Sequence, residues 1–138
     1  MAVVSFFSED ISFELCDQNK SEDWIASTIA SEGKSLGEIN YVFCSDNYLH
    51  QINLEHLSHD TFTDIITFNY CLGDVISSDI FISIDRVREN AETYNVSFEN
   101  ELSRVMIHGV LHLLGYDDKT EVEKQTMRAK EDFYLNLQ

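Results

Sequence analysis

The sequence predicts an α+β fold, in which a small mixed β-sheet is packed with about four to five helices. Short apolar runs of strand length alternate irregularly with longer segments whose apolar residues recur at helical spacing. The 138 residues have the size of one domain, residues 1–138, with a core that needs no disulfide support. The chain contains no proline, no repeat and no low-complexity segment, so no linker is indicated.

The first half of the chain is predicted to contain two helices and up to three extended segments. Residues 3–7 and 11–15 have short apolar or alternating patterns that fit strands or an extended entry segment. Residues 39–44 alternate in the pattern of a strand. One helix begins at Ser21 and ends near Gly33 or Gly37. Either Ser45 or Asp46 caps the second helix, since both residue types accept from free backbone N–H groups at a helix start.

The second half is predicted to contain two strands and three helices. Its turns and strands are expected at residues 58–61 (polar turn), 65–70 (strand), 72–77 (turn with glycine) and 80–84 (strand). Asp85 is expected to cap the helix that follows. A long apolar helix begins at Phe98 and ends at Gly115. Thr120 and Glu123 match the capping box of a last helix.

The segment over residues 106–118 carries the chemistry, and it reads Met-Ile-His-Gly-Val-Leu-His-Leu-Leu-Gly-Tyr-Asp-Asp. On a helix, His108 and His112 lie one turn apart on one face, so their imidazoles can bind one metal ion. Gly115 favours the left-handed conformation that ends helices and turns the chain back, which brings Asp118 within reach as a third ligand. Three protein ligands leave a coordination position open, as in catalytic zinc sites.

Several properties of this site stay open from the residues alone. Asp117 is a second candidate ligand, an acceptor that orients an imidazole, or a solvated turn residue. One Zn²⁺ per chain is expected, while two histidines and one carboxylate also suit manganese or iron. Gly109 stands where thermolysin-type proteases carry their general base, so a metal-bound water is expected to act and no side chain is assigned as base. Gly109 instead indicates close packing of the helix against a neighbour.

Residues 108–117 match the signature of a known family at every fixed position. This stretch resembles the YbeY family of bacterial metal-dependent endoribonucleases, whose signature is His-Gly-x-Leu-His-Leu-x-Gly-Tyr-Asp-His. Asp118 stands in place of the family's third histidine. Residues 60–68 resemble the family's Asp-x-Pro-Thr-Asp-Val-Leu-Ser-Phe block, and residues 78–83 resemble its Gly-Asp-Ile-x-Ile-Ser strand. Glu101 matches the Glu that starts the family's motif helix.

The resemblance implies a zincin-like metallohydrolase arrangement, with the metal site on the motif helix and the following loop. It implies a metal-dependent single-strand endoribonuclease that acts in 16S rRNA 3′-end maturation and ribosome quality control. The implied partners are rRNA or the small ribosomal subunit, together with a helper protein, and no DNA. Besides Asp117, the residues expected beside the metal or in its cleft are Thr63, Asp64 and Arg104.

The chain is strongly acidic, whereas proteins that bind RNA usually carry basic patches. The formal net charge is −16, and Lys20 and Lys34 are the only basic residues before Arg86. Polyanion binding normally uses a basic patch. The family's Arg upstream of the Thr-Asp pair is replaced here, at Leu57 or Ser58. A metallohydrolase for a non-RNA substrate, or a non-catalytic ribosome-associated metal-binding module, therefore remains an alternative function.

The remaining basic and histidine residues are candidates for contacts with phosphate. Phe62 replaces the family's proline, and His56 and His59 either take over part of the missing arginine's role or are exposed turn residues. The arginines considered as phosphate partners are Arg86, Arg88 and Arg104. They are either phosphate contacts or ordinary ion pairs on helix surfaces.

The three cysteines and the apolar segments bear on where the protein acts. Cys16, Cys44 and Cys71 are odd in number and form no Cys-x-x-Cys pair, so neither a disulfide framework nor a zinc ribbon is indicated. No apolar run approaches the length that spans a bilayer, and the apolar start lacks the preceding basic residues of a secretory signal. A cytoplasmic protein without a membrane partner is expected.

Overall fold

The computed structural model describes residues 2–57 and 63–138. In these residues the chain forms an α+β arrangement with one mixed sheet, which confirms the predicted fold class. The strands are β1 (Val3–Ser8), β2 (Ser35–Cys44), β3 (Ile65–Asn69) and β4 (Val75–Ser83). The helices are α1 (Gln18–Ser31), α2 (Asp46–Leu57), α3 (Ile84–Tyr94), α4 (Phe98–Leu113) and α5 (Glu121–Leu135). The turn predicted over residues 58–61 lies outside the described residues.

The sheet has the strand order β1-β2-β4-β3. β1 and β4 both run parallel to β2, whereas β3 pairs antiparallel with β4 at the edge. Successive side chains of a strand point to opposite faces. On β3, Ile65 and Thr67 therefore face α4. Ile66 and Phe68 face a second, smaller apolar cluster, to which Leu49 of α2 belongs. The edge strand β3 thus presents one row of side chains toward α4, the helix that carries His108 and His112.

The main core lies between the sheet and helices α1, α4 and α5. α4 supplies several fully buried apolar side chains, among them Ile107, Val110 and Leu111. Tyr41 of β2 donates a hydrogen bond from its hydroxyl to the Met106 carbonyl oxygen at 3.0 Å, deep in this core. The buried apolar face of α4 fixes its rotation, so its histidines emerge at one defined edge of the core. Among the described helices, none combines the length and apolar character needed to cross a lipid bilayer.

Gly109 allows α4 to approach β3 closely. A Cβ atom at this position would lie 2.9 Å from the Ile65 Cδ1 atom and 3.3 Å from the Thr67 Oγ1 atom. The first distance is shorter than carbon atoms tolerate without a shift of the neighbour. The predicted close packing at Gly109 is confirmed, and it brings the part of α4 that carries His108 and His112 directly against the edge strand β3.

Some predicted elements were wrong. Of the two alternatives for residues 11–15, a strand or an extended entry segment, the strand is not formed. The apolar side chains there are partly buried against the core without strand pairing, as in the edge-to-face contact of Phe13 with Phe43. Gly37 lies inside β2 and does not end α1. Its missing side chain makes room for β4, since a Cβ atom there would lie 2.2 Å from the Ser77 Oγ atom. β4 begins at Val75, so the predicted turn over residues 72–77 is too long.

The start of α3 also differs from the prediction. The strand predicted to end at Ile84 stops one residue earlier, and Ser83 caps the helix by accepting from the Arg86 N–H at 3.1 Å. Asp85 lies in the first turn, where its carboxylate accepts from the Asp46 N–H at 2.9 Å. Of the two residues considered for the α2 cap, Ser45 accepts from the helix backbone.

Candidate metal centre

The helix α4 and the turn after it bring the motif residues together. Ser97 caps the start of α4, and the helix ends at Leu113. Gly115 has φ of +106°, in the left-handed region that favours glycine. The Tyr116 N–H donates to the Leu111 carbonyl oxygen at 3.0 Å, which closes the helix end. The chain therefore reverses and returns Asp118 to the face of the helix that carries the histidines.

Three side-chain atoms form a small triangle at this point. The Nε2 atoms of His108 and His112 are 3.0 Å apart, and each lies 3.4 Å from the Asp118 Oδ2 atom. A tetrahedral zinc ion at about 2.0–2.1 Å from each ligand would separate the ligand atoms by about 3.3–3.4 Å. The residues present fit a metal ion. Among the described residues, this is the one group of three or more side chains with such spacing.

Glu131 of α5 orients the first histidine. Its Oε2 atom lies 2.6 Å from the His108 Nδ1 atom, and its other oxygen accepts from the Arg104 Nη1 at 2.8 Å. A carboxylate accepts a hydrogen bond, so His108 carries its proton on Nδ1 and directs the lone pair of Nε2 toward the triangle. Glu131 is 5% exposed. The carboxylate is therefore a fixed support for the metal ligand.

Sequence reasoning missed Glu131. A signal was present, because Glu131 shares the buried face of α5 with Met127 and Tyr134, four residues before it and three after it. A carboxylate on an apolar face requires a partner. The structure places Asp117, the residue that was considered for this orienting role, on the surface and outside the group of three.

Electrostatics at the triangle favour positive charge. Burial alone would lower the pKa of His108, but the hydrogen bond and charge of Glu131, with the charges of Asp118 and Asp64, raise it above its ordinary value. Burial raises the pKa of Asp64, and the His108 charge partly opposes this shift. The imidazole of His108 thus lies in a negative field, which favours a metal cation as it favours a proton.

The triangle opens into a cleft of about 500 Å³. Thr63 and Asp64, two of the predicted cleft residues, line this cleft. Thr67 and Asn69 of β3 line it as well, and sequence reasoning did not name them. Their alternation with buried residues on the edge strand was the signal that could have identified them. The cleft therefore places hydroxyl and amide groups beside the candidate metal ligands.

The predicted basic contacts are engaged in other interactions. Arg104 pairs with Glu131 and Asp132, so it stabilises the support of His108 and does not line the cleft. Arg86 pairs with Asp46 at 2.9 Å. Arg88 lies over the ring of Phe98, 5.4 Å from its centroid.

The residues near the replaced family arginine are only partly described. His56 contacts the ring of Phe68 edge to face, with the ring centroids 6.0 Å apart. Leu57 is the last residue of α2 and is exposed. Ser58 and the other residues of this block, His59, Asp60, Thr61 and Phe62, lie outside the described residues.

A second network holds the loop that carries Asp118. The Tyr116 hydroxyl donates to Glu32 Oε1 at 2.7 Å, and the Lys130 ammonium and the Tyr134 hydroxyl donate to Oε2 of the same carboxylate. Burial raises the pKa of Glu32, but these three donors outweigh it and lower the pKa overall. The turn at Gly115 is thereby tied to α1 and α5.

Comparison with known proteins extends the likeness over nearly the whole chain. The family model described as Endoribonuclease YbeY matches residues 6–137. A protein named Endoribonuclease YbeY from Flavobacterium psychrophilum is 56% identical, with 95% of this chain and 94% of that protein covered. The protein of the same name from Bacteroides thetaiotaomicron is 44% identical, with 97% and 98% covered. The solution structure of TM1509 from Thermotoga maritima superposes with a TM-score of 0.68 at 26% identity, covering 97% of this chain and 87% of that one.

Proposed function

The chain belongs to the Endoribonuclease YbeY family, and on this basis we propose that it is a metal-dependent endoribonuclease that hydrolyses phosphodiester bonds in single-stranded RNA. The observation that carries the proposal is the triangle of His108, His112 and Asp118 at the wall of an open cleft. The proposed substrate is the 3′ end of 16S rRNA, during maturation and quality control of the small ribosomal subunit.

The proposed metal is Zn²⁺, one per chain, held by the Nε2 atoms of His108 and His112 and by the Asp118 carboxylate. When bound, the ion would polarise a phosphate oxygen and make water more acidic. Glu131 keeps the His108 ring in the orientation that metal binding requires. Because the ligand set includes a carboxylate, manganese and iron are the other metals to test.

The remaining groups of the cleft have roles in binding and proton transfer. The Thr67 hydroxyl and the Asn69 amide can donate hydrogen bonds to phosphate oxygens of an RNA strand in the cleft. Asp64 is the titratable lining residue of the cleft outside the metal ligands. Its raised pKa suits a group that accepts a proton during hydrolysis. Asp64 is therefore the proposed proton acceptor.

The net charge of −16 supports a requirement for a partner. The arginines expected to contact phosphate are engaged with Asp46, Glu131, Asp132 and an aromatic ring. Binding of RNA through phosphate neutralisation would therefore be weak. The small ribosomal subunit, with a helper protein, is proposed to hold the RNA in position at the cleft.

Incubation with an rRNA precursor tests the proposal. The metal-loaded protein is mixed with a 16S precursor fragment, free or within small subunits, beside a His112→Ala variant. Cleavage is expected within subunits and is lost in the variant. Cleavage that survives His112→Ala would refute the metal-dependent mechanism.

The same experiment separates the alternative functions. RNA left intact with zinc, manganese and iron would favour a substrate other than RNA. If chelation then lowered the melting temperature and no hydrolytic turnover were found, the metal would have a structural role in a ribosome-associated binding module.

A further inference from the structure

A second cavity adjoins the metal cleft. It has a volume of about 200 Å³ and lies among helices α3, α4 and α5. His108 and Asp64 line both this cavity and the metal cleft. A ligand bound in the cavity would therefore lie next to the candidate metal ligands.

Glu101 of α4 lines this cavity with a carboxylate that opens into it. It is 5% exposed, and among the residues that the structure describes its side chain has neither a hydrogen-bond nor an ion-pair partner. Burial and the charge of Asp64 raise the pKa of Glu101, and the charges of Arg104 and Arg128 oppose this. A buried carboxylate normally accepts hydrogen bonds from a protein group or a ligand. This site therefore suits a ligand that offers N–H donors.

The other lining groups indicate what kind of ligand this is. Tyr94 is 61% exposed at the rim, where its ring can stack on a flat ligand. The Asn90 amide offers a further donor and acceptor. The charged lining combines the carboxylates of Asp64, Glu101 and Glu131 with the guanidinium groups of Arg104 and Arg128. Arg128 is exposed, so it can contact the phosphate of a nucleotide bound in the cavity. The described residues provide a three-ligand metal group only at the cleft, so a second metal ion is not supported here.

We propose that this cavity binds a guanine base of the RNA, with Glu101 accepting hydrogen bonds from the N1–H and N2–H groups of the base. The inference rests on the proposed function and adds a base preference to it. Guanine presents two neighbouring N–H donors, which match the two oxygens of one carboxylate. Because the cavity and the cleft share His108 and Asp64, a bound guanine places its own phosphodiester at the metal centre. Cleavage beside guanine is the consequence.

Titration of the zinc-loaded full chain with GMP, AMP, CMP and UMP tests the site by calorimetry. GMP is expected to bind roughly ten-fold more tightly than the other three nucleotides, because one bidentate contact to a base gives discrimination of about this size. In Glu101→Gln the amide offers one acceptor and one donor, a pattern that suits adenine. This variant is expected to lose the preference for GMP and to gain affinity for AMP.

Two further variants separate base recognition from folding. Glu99→Gln removes the same charge from an exposed position two residues earlier on α4, and it is expected to keep the preference for GMP. Tyr94→Ala changes an exposed side chain and is expected to weaken GMP binding several-fold without a change in melting temperature. Tyr94→Ala therefore keeps the site testable if Glu101→Gln does not fold.

The outcomes distinguish this inference from the proposed function. Equal affinity for the four nucleotides, or an unchanged GMP preference in a folded Glu101→Gln variant, would overturn the site. Tighter binding of N-acetylarginine amide than of GMP would assign the cavity to a protein side chain and would also overturn it. Cleavage of oligonucleotides with no preference for guanine, without GMP binding, refutes this inference alone. GMP binding without cleavage of any RNA supports the site and refutes the nuclease.

Discussion

Replacing Glu131 by Gln measures how much of the metal affinity depends on the orientation of His108. The two carboxylate oxygens accept from the His108 Nδ1 at 2.6 Å and from the Arg104 Nη1 at 2.8 Å. An amide has a single acceptor oxygen, and its NH₂ group would face an N–H donor at the other contact. Glu131→Gln therefore leaves either the imidazole or the guanidinium without its partner.

The expected loss of zinc affinity is about 10- to 100-fold, or roughly 1.4–2.7 kcal/mol, the usual effect of removing the acceptor behind a ligating histidine. The metal-free protein is expected to lose stability as well, because a hydrogen bond to a charged group contributes about 1.5–3 kcal/mol. Arg104 keeps Asp132, whose Oδ1 atom lies 2.6 Å from Nη2. The loss of stability should therefore fall near the lower end of that range.

The two effects require separate measurements. Zinc affinity is measured by competition with a chelating dye at pH 7, and stability is measured by urea unfolding of the metal-free protein. Asp132→Asn is the matched control, because it weakens an exposed partner of Arg104 that has no contact with His108. It is expected to lower stability by less than about 1 kcal/mol and to leave zinc affinity unchanged. A Glu131→Gln variant that binds zinc as tightly as the original protein would refute the orienting role.

Other substitutions test the remaining parts of the site. Asp118→His should retain or increase the affinity for zinc, and Asp118→Ala should lower it, as measured by metal content after dialysis. Unchanged metal content in both variants would transfer the ligand role to Asp117 or water. Gly109→Ala should lower the free energy of unfolding by about 1 kcal/mol in urea, because overpacking against Ile65 outweighs the better helix propensity of alanine. A more stable variant would contradict the close contact. Folding lowers the pKa of Glu32, so its carboxylate contributes fully to the stability of the fold at pH values above its ordinary pKa of 4.5. This contribution is lost as the pH falls through the lower pKa of the folded state. Glu32→Gln should therefore lose less stability than the original protein on acidification below pH 4.5, and an equal loss in both would count against this network.

The local part of the site could be predicted from the sequence. Helix geometry fixes the relation of His108 to His112, and the left-handed turn at Gly115 fixes the return of Asp118. Both relations extend over a few residues, so no knowledge of the rest of the fold is needed. Glu131 is different, because it is 23 residues from His108 and meets it only when α5 packs on α4. A sequence pattern shows that such a carboxylate needs a partner but does not identify the partner.

The errors in the fold prediction have the same origin. Ser83 and Asp85 are both good caps, and their roles are decided by a third element, since Asp85 is occupied by the backbone of α2. Residues 11–15 have the apolar pattern of a strand or of an extended entry segment, and Phe13 packs there through aromatic contacts without strand pairing. The order β1-β2-β4-β3 places the last strand in sequence inside the sheet and β3 at its edge. This order depends on how the helices cross over the sheet, which periodicity does not encode.

The charge of the chain and the proposed reaction are compatible because the relevant charges act at short range. At an ionic strength of about 0.15 M, exposed charges more than roughly 8 Å apart are largely screened. The net charge of −16 therefore mainly weakens the distant attraction of RNA. Within the site, Asp118, Asp64 and Glu131 surround His108 and favour a bound cation. The same carboxylates that repel free RNA thus stabilise the metal ion that would attract a phosphate, so the isolated chain should act poorly on free RNA and well on RNA held in place by a partner.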